Sequence, residues 1–149
     1  MYAGSCLCGR VRYEIAGELG EFGHCHCRSC QKASGSAFAA NAPVRRADFR
    51  LQSGESELRE FESSPGKLRV FCGNCGSPLY AYLRASDDVL RIRLGTLDTP
   101  FSEQPKAHTW MSQRAPWEAA EGQMQAQLPR YPEWAPKTVL NQQGSRQPG

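Results

Sequence analysis

Seven cysteines in a chain of 149 residues fall into three tight groups: Cys6 and Cys8; Cys25, Cys27 and Cys30; Cys72 and Cys75. Thiolates are soft donors, and a tetrahedral Zn²⁺ takes four of them, so grouped cysteines read first as metal ligands. Cys72-Gly73-Asn74-Cys75-Gly76 has the composition of a zinc knuckle: two sulfurs on one tight turn, then a glycine that lets the backbone fold over them. Cys6-Leu7-Cys8-Gly9 has one spacer fewer and ends on the same residue. Joined, the pairs make a closed four-cysteine site of structural role, tying the N-terminal strand to the middle of the fold. Cys25-His26-Cys27-Arg28-Ser29-Cys30 then keeps three thiolates and an open fourth position, as reactive zinc needs. His24 and His26 are further donors there, although a side chain between two ligating cysteines tends to point away from the shared metal. A rival partition joins Cys27 and Cys30 to Cys72 and Cys75. Unmetallated cysteines, an iron–sulfur cluster and two purely structural zincs are the blander readings. The His-x-Glu and Pro-Cys-x-x-Cys signature of a zinc deaminase is absent.

Short strands must position these groups. Val11, Tyr13 and Ile15 alternate with Arg12 and Glu14, giving one apolar face. Residues 89–94 repeat the device, with Leu90, Ile92 and Leu94 expected inward and Arg91 and Arg93 outward. Further strands are expected at 68–71, 78–83, 57–61 and 38–44, the last interrupted by Asn41 and Pro43. Turns are expected at 17–20, 53–54, 64–66 and Asp87-Asp88. Helix is scarce, with 28–34 the best segment, and Gly35 and Ser36 read as a tight turn near the metal. The sum is a small, mainly β fold of about eight short antiparallel strands, with a domain over 1–130 and an extended, partly disordered tail over 131–149. Pro129, Tyr131, Pro132 and Trp134 are read as a packing arm, and Trp110 and Trp117 as core or arm residues.

The charge of +3, from 18 basic and 15 acidic residues, is a weak argument for an anionic partner. If all seven cysteines are thiolates on two Zn²⁺ ions, the balance falls to about zero. No apolar run approaches the roughly 20 residues of a membrane span, and the N-terminus lacks the apolar stretch of an export signal. The expected setting is cytoplasmic, where thiols stay reduced.

The three stretches Gly4-Ser-Cys-Leu-Cys-Gly9, Cys25-His-Cys-Arg-Ser-Cys-Gln-Lys-Ala-Ser-Gly-Ser-Ala-Phe38 and Phe71-Cys-Gly-Asn-Cys-Gly76 together resemble the glutathione-dependent formaldehyde-activating enzyme family, which also includes centromere protein V domains. Pro105-Lys-Ala-His108-Thr-Trp110, Ala115-Pro-Trp117 and Leu128-Pro129 are similar to its C-terminal signature. The resemblance implies a β-tent fold and two zincs per chain. Cys6, Cys8, Cys72 and Cys75 would hold the structural ion; Cys25, Cys27 and Cys30 would hold the catalytic one.

Three thiolates on Zn²⁺ leave a formal site charge of −1, which suits a thiol as fourth ligand better than a hydrolytic water. A coordinated thiolate, of glutathione or another small thiol, would attack an aldehyde carbon to give an S-hydroxymethyl adduct. The reverse cleaves a carbon–sulfur bond, which makes the activity a carbon–sulfur lyase. Arg28 and Lys32 are the cations nearest the ligands in sequence, and Lys32 is placed to meet a carboxylate of the thiol. His108 is the proposed proton shuttle for the alkoxide; a structural histidine is the alternative. A zinc-stabilised module binding protein or nucleic acid is the rival function, marked by a contiguous basic surface of Arg45, Arg46, Arg91 and Arg93. A redox or zinc-buffering role for the three-thiolate site is a third reading.

Overall fold

A computed structural model describes residues 1–118 and 131–133. Among them lie ten strands and one α-helix: β1 (Tyr2–Ser5), β2 (Arg12–Ile15), β3 (Gly23–Cys25), α1 (Arg28–Ser34), β4 (Ala39–Arg45), β5 (Phe49–Ser53), β6 (Leu58–Ser64), β7 (Lys67–Cys72), β8 (Pro78–Leu83), β9 (Ser86–Arg93) and β10 (His108–Thr109). They form a three-stranded sheet, β1-β2-β5, and a seven-stranded sheet, β10-β3-β4-β9-β8-β7-β6. The fold is mainly β, as the alternating pattern requires. Among these residues no helix is long and apolar enough to cross a membrane.

Alternation decides which residues meet between the sheets. Val11, Tyr13 and Ile15 are fully buried beside Val44, Val70, Leu90 and Ile92. Each aliphatic side chain so buried contributes about 1.5–3 kcal/mol. Phe49 stacks on Tyr13 at 5.2 Å and meets Tyr80 edge-on at 5.2 Å, filling the corner between the sheets. Pro43 fits inside β4 because β3 pairs with that strand only over Ala39, Ala40 and Asn41. The side of Pro43 that lacks an N–H faces away from β9, and its carbonyl there accepts from Gly20 N–H at 2.9 Å.

Four expectations need correction. Asp87 and Asp88 lie within β9, and the turn of the β8–β9 hairpin is Arg84-Ala85. One strand pair is parallel, β3 with β10, where His108 stands opposite His24 and Thr109 opposite Cys25. Trp117 does not pack; it is 70% exposed. Most consequentially, Arg91 and Arg93 are not on the surface but 5% and 8% exposed. Period two assigns a residue to a face, and here both faces of β9 are covered. The helix is as expected over Arg28–Ser34, ended by Gly35 in the left-handed region, where Gly35 and Ser36 both donate to the Gln31 carbonyl. Tyr131, Pro132 and Glu133 run against His108 to Ser112 through four backbone hydrogen bonds. Pro129 and Trp134 lie outside the described residues.

Candidate metal centres

The first knuckle links β1 to β2, and the second links β7 to β8. Both turn on a glycine with positive φ, Gly9 at 76° and Gly76 at 79°, the residue after the second cysteine in each. Gly9 N–H donates to the Cys6 carbonyl and Gly76 N–H to that of Cys72, so each loop closes back over its own sulfurs. Leu7 N–H donates to Ser77 Oγ at 2.9 Å, joining one knuckle to the other. The Sγ atoms of Cys6, Cys8, Cys72 and Cys75 all lie within 4.8 Å of one another, with Cys6–Cys8 at 3.5 Å and Cys8–Cys72 at 3.9 Å. Ligands about 2.3 Å from a tetrahedral zinc stand about 3.8 Å apart, so the set fits that ion. Ser77 Oγ holds the Cys75 thiol down to about 5, and the Asn74 side chain lowers Cys8. Both favour the thiolate that a metal takes.

The second set is built by β3 running into α1. Cys25 ends the strand, Cys27 is the N-cap whose Sγ accepts from Cys30 N–H at 3.3 Å, and Cys30 lies in the first helical turn. Their three Sγ atoms lie within 4.8 Å and are 5%, 0% and 0% exposed by residue. Contact with Cys25 and Cys27 pulls the Cys30 thiol down to about 2, while contact with Cys27 and Cys30 pushes Cys25 up. Three buried thiols this close ionise only in part unless a cation joins them, which is the electrostatic argument for a metal here. The partition is therefore four and three, and the rival pairing of Cys27 and Cys30 with Cys72 and Cys75 is not formed. Neither histidine joins the trio. His26 points away, its Nε2 at 2.9 Å from His108 Nδ1, and His24 stacks on Phe38 at 4.0 Å. Burial holds both histidines at about 4.

His108 stands opposite His24, so it occupies the face of β3 and β10 away from the Cys25 side chain. Its Nδ1 reaches the ligand loop through His26 Nε2 at 2.9 Å rather than through the cysteines themselves. Arg28 is exposed and its guanidinium bonds Gln31 Oε1, while its own N–H donates to Gln113 Oε1 at 2.8 Å. Gln31 in turn donates to the carbonyls of His26 and Gln113, so this group braces the ligand loop. Lys32 is exposed beside a cavity of about 390 Å³ between α1 and β6–β7.

The cations that act on the trio come from elsewhere in the chain. Lys67, Arg69, Arg91 and Arg93 are 1%, 8%, 5% and 8% exposed, and three of them share one face of the large sheet through the rows Arg69–Ala81–Arg91 and Asn41–Arg93. Arg69 Nη1 is 4.0 Å from Cys30 Sγ, and Arg93 bonds Asn41 Oδ1. Burial lowers Arg91 and Arg93 to about 10, with the cysteine thiolates pulling the other way, so both stay charged at neutral pH. These four are what sequence reasoning missed. Their only signal was two pairs of basic residues at i, i+2 in separate strands, which an exposed strand face shows equally. Arg45 pairs with Asp48 at 2.7 Å, and Arg46 lies over the Tyr82 ring at 4.8 Å. With Arg91 and Arg93 buried, the contiguous basic surface expected of a nucleic-acid module is not formed by these four.

Known proteins resemble the chain in fold and in sequence. A crystal structure of a Rhodobacter sphaeroides protein matches with a TM-score of 0.58 and 23% identity, covering 72% of this chain and 99% of that one, a likeness of fold. An uncharacterized lyase of Schizosaccharomyces pombe is 30% identical over 79 residues. The aligned stretch covers 53% of this chain and 56% of that relative, so it spans little more than half of its length. The sequence model of the glutathione-dependent formaldehyde-activating enzymes matches residues 1–113, which include all seven cysteines. The chain belongs to the glutathione-dependent formaldehyde-activating enzyme family.

Proposed function

We propose that the chain is a zinc-dependent carbon–sulfur lyase that forms or cleaves a thiol–aldehyde adduct of the S-hydroxymethylglutathione kind. Its reactants are glutathione or another small thiol and an aldehyde, in the reducing cytoplasm. The observation that carries this reading is the buried cysteine trio, three sulfurs within 4.8 Å and no fourth ligand among the described residues, facing a sheet rich in buried cations. Family membership and the likeness to a protein named a lyase support it. Zinc bound at the trio would supply an anion-accepting fourth position and deprotonate an incoming thiol.

The chain's own residues do the rest. Cys25, Cys27 and Cys30 are the ligands, and Cys6, Cys8, Cys72 and Cys75 hold the second, structural zinc. Two anions at one centre would repel, and Arg69, Arg91 and Arg93 offset that charge from within the fold. Trp110 and Ala39 pack on the trio and keep water from one side of it. Lys32 stands at the cavity as an exposed cation, and Arg28 keeps the ligand loop in place.

Zinc content per chain and glutathione titration, on wild type and on Cys27→Ser, test the reading. Serine preserves the N-cap of α1, so the variant loses a soft ligand rather than the helix. Two zincs in wild type, one in the variant, and thiol binding that disappears with the substitution are expected. Two zincs with no thiol binding would overturn the adduct reading and restore the binding module.

A further inference from the structure

Arg69 is an unusual residue to bury. It is 8% exposed, and no carboxylate among the described residues pairs with it. Its Nε donates to Ser63 Oγ at 2.8 Å and its Nη1 lies 4.0 Å from Cys30 Sγ. Its Nη2 is buried without a hydrogen-bond partner. A guanidinium left with an unused donor costs about 1–3 kcal/mol of desolvation unless something else accepts from it. Arg69 also lines both the cavity of about 390 Å³ and an adjoining one of about 290 Å³ that reaches Arg93. The two share Ala33 and Phe61, which give an apolar wall, and Phe61 is 63% exposed at the rim. No cysteine lines either cavity; Arg69 is the link between this groove and Cys30.

We infer that Arg69 is a specificity-determining residue that reads a carboxylate on the thiol substrate, the groove beside α1 being the subsite for that carboxylate and its short hydrocarbon spacer. The inference rests on the adduct reading above. Ser63 fixes the plane of the guanidinium, which leaves the Nη2 edge to the ligand; a planar carboxylate matches that edge better than a hydroxyl or an ammonium. A sulfur in the fourth position of a zinc on Cys30 would lie about 3.8 Å from Cys30 Sγ, and hence within about 8 Å of Arg69 Nη1. A carboxylate a few bonds from the thiol spans that gap.

The test compares three thiols of similar size on the zinc- or cobalt-loaded protein: 3-mercaptopropionate, 2-mercaptoethanol and cysteamine. Binding is read by titration calorimetry and by the cobalt–thiolate absorption, with metal content measured alongside. In wild type the carboxylate thiol should bind at least about 10-fold tighter than the neutral one, with the cationic one weakest. Arg69→Met should weaken the carboxylate thiol at least about 10-fold more than the neutral one, so that the preference is lost; Arg69→Lys should restore part of it. An Arg69 that only balances the charge on Cys30 would instead weaken all three thiols by the same factor and leave the preference in place, which overturns the inference. Equal binding of the carboxylate and neutral thiols to wild type overturns it without any variant, and leaves the adduct reading standing. Binding of no thiol overturns both.

Discussion

The two metal centres should contribute unequally to stability, because they close loops of different length. The closed site joins Cys8 to Cys72 across 64 positions, whereas the trio spans only Cys25 to Cys30. Treated as chain constraints in the entropy model used for cross-links, these loops are worth about 4 kcal/mol and about 2 kcal/mol. The informative perturbation is the double variant Cys6→Ser with Cys8→Ser, which releases the N-terminal half of the closed site. It should leave little packing defect, since Cys8 is exposed and a serine at 6 can still accept from Val11 N–H as Cys6 Sγ does at 3.3 Å. With a urea m value near 1.5 kcal/mol/M, the double variant should lower Cm by about 2–3 M. Cys27→Ser should lower it by only about 1.3 M. Zinc-loaded proteins compared by urea unfolding, followed by far-ultraviolet circular dichroism, give both numbers. Equal losses, or a larger loss from Cys27→Ser, would refute the loop argument and make the trio the anchor of the fold.

Lys67 is 1% exposed, and burial lowers it from 10.5 to about 7. Between those values the unfolded chain binds the extra proton, so this residue makes stability rise with pH, by up to about 1.4 kcal/mol per pH unit, with its full penalty present below about 7. In zinc-loaded protein, urea unfolding from pH 7 to 10 should show that rise, and Lys67→Met should flatten it and gain stability at pH 7; an unchanged slope would show that Lys67 is not desolvated. Tyr13 lies under the core with its hydroxyl 2.6 Å from Thr96 Oγ1, which itself donates to the Arg93 carbonyl at 2.8 Å and therefore accepts from the tyrosine. Tyr13→Phe should cost about 1 kcal/mol, seen as a fall of a few degrees in Tm, and no fall would mean that the bond is matched by water in the unfolded chain.

The knuckles were legible because their chemistry is local: cysteines two or three positions apart and the glycine after them fix ligand pairs and backbone together. Helix α1 was legible for a similar reason, since Cys27 caps one end and Gly35 the other. Four strands were not, because Gly23–Cys25 and His108–Thr109 are too short to show a period, Tyr2–Ser5 carries Gly4 in place of an alternating apolar residue, and Phe49–Ser53 offers only Phe49 and Leu51 before polar Gln52 and Ser53. The β8–β9 turn lies three positions before the one expected, as Asp-Asp has turn chemistry but Arg84-Ala85 makes the turn. The cationic half of the site was invisible for a deeper reason. Alternation puts Arg91 and Arg93 on one face, but only the sheet order, with β4 and β7 on either side of β8 and β9, brings them and Arg69 toward Cys30. The place of His108 was hidden for the same reason: as a histidine outside the cysteine cluster it drew notice, but only the pairing of β10 with β3 sets it beside His24 and His26.

The two sulfur sets also differ in what can reach them. Cys8 is exposed and Leu7 beside it is 88% exposed, whereas the three cysteines of the trio are buried, with Trp110 packed on one side. A chelator or an oxidant arriving from solvent therefore meets the joint between the two sheets' ends before it meets the chemistry. Damage would register first at the site that ties β1 and β2 to β7 and β8, so peroxide or zinc shortage would loosen the fold while the sulfurs of the trio were still intact.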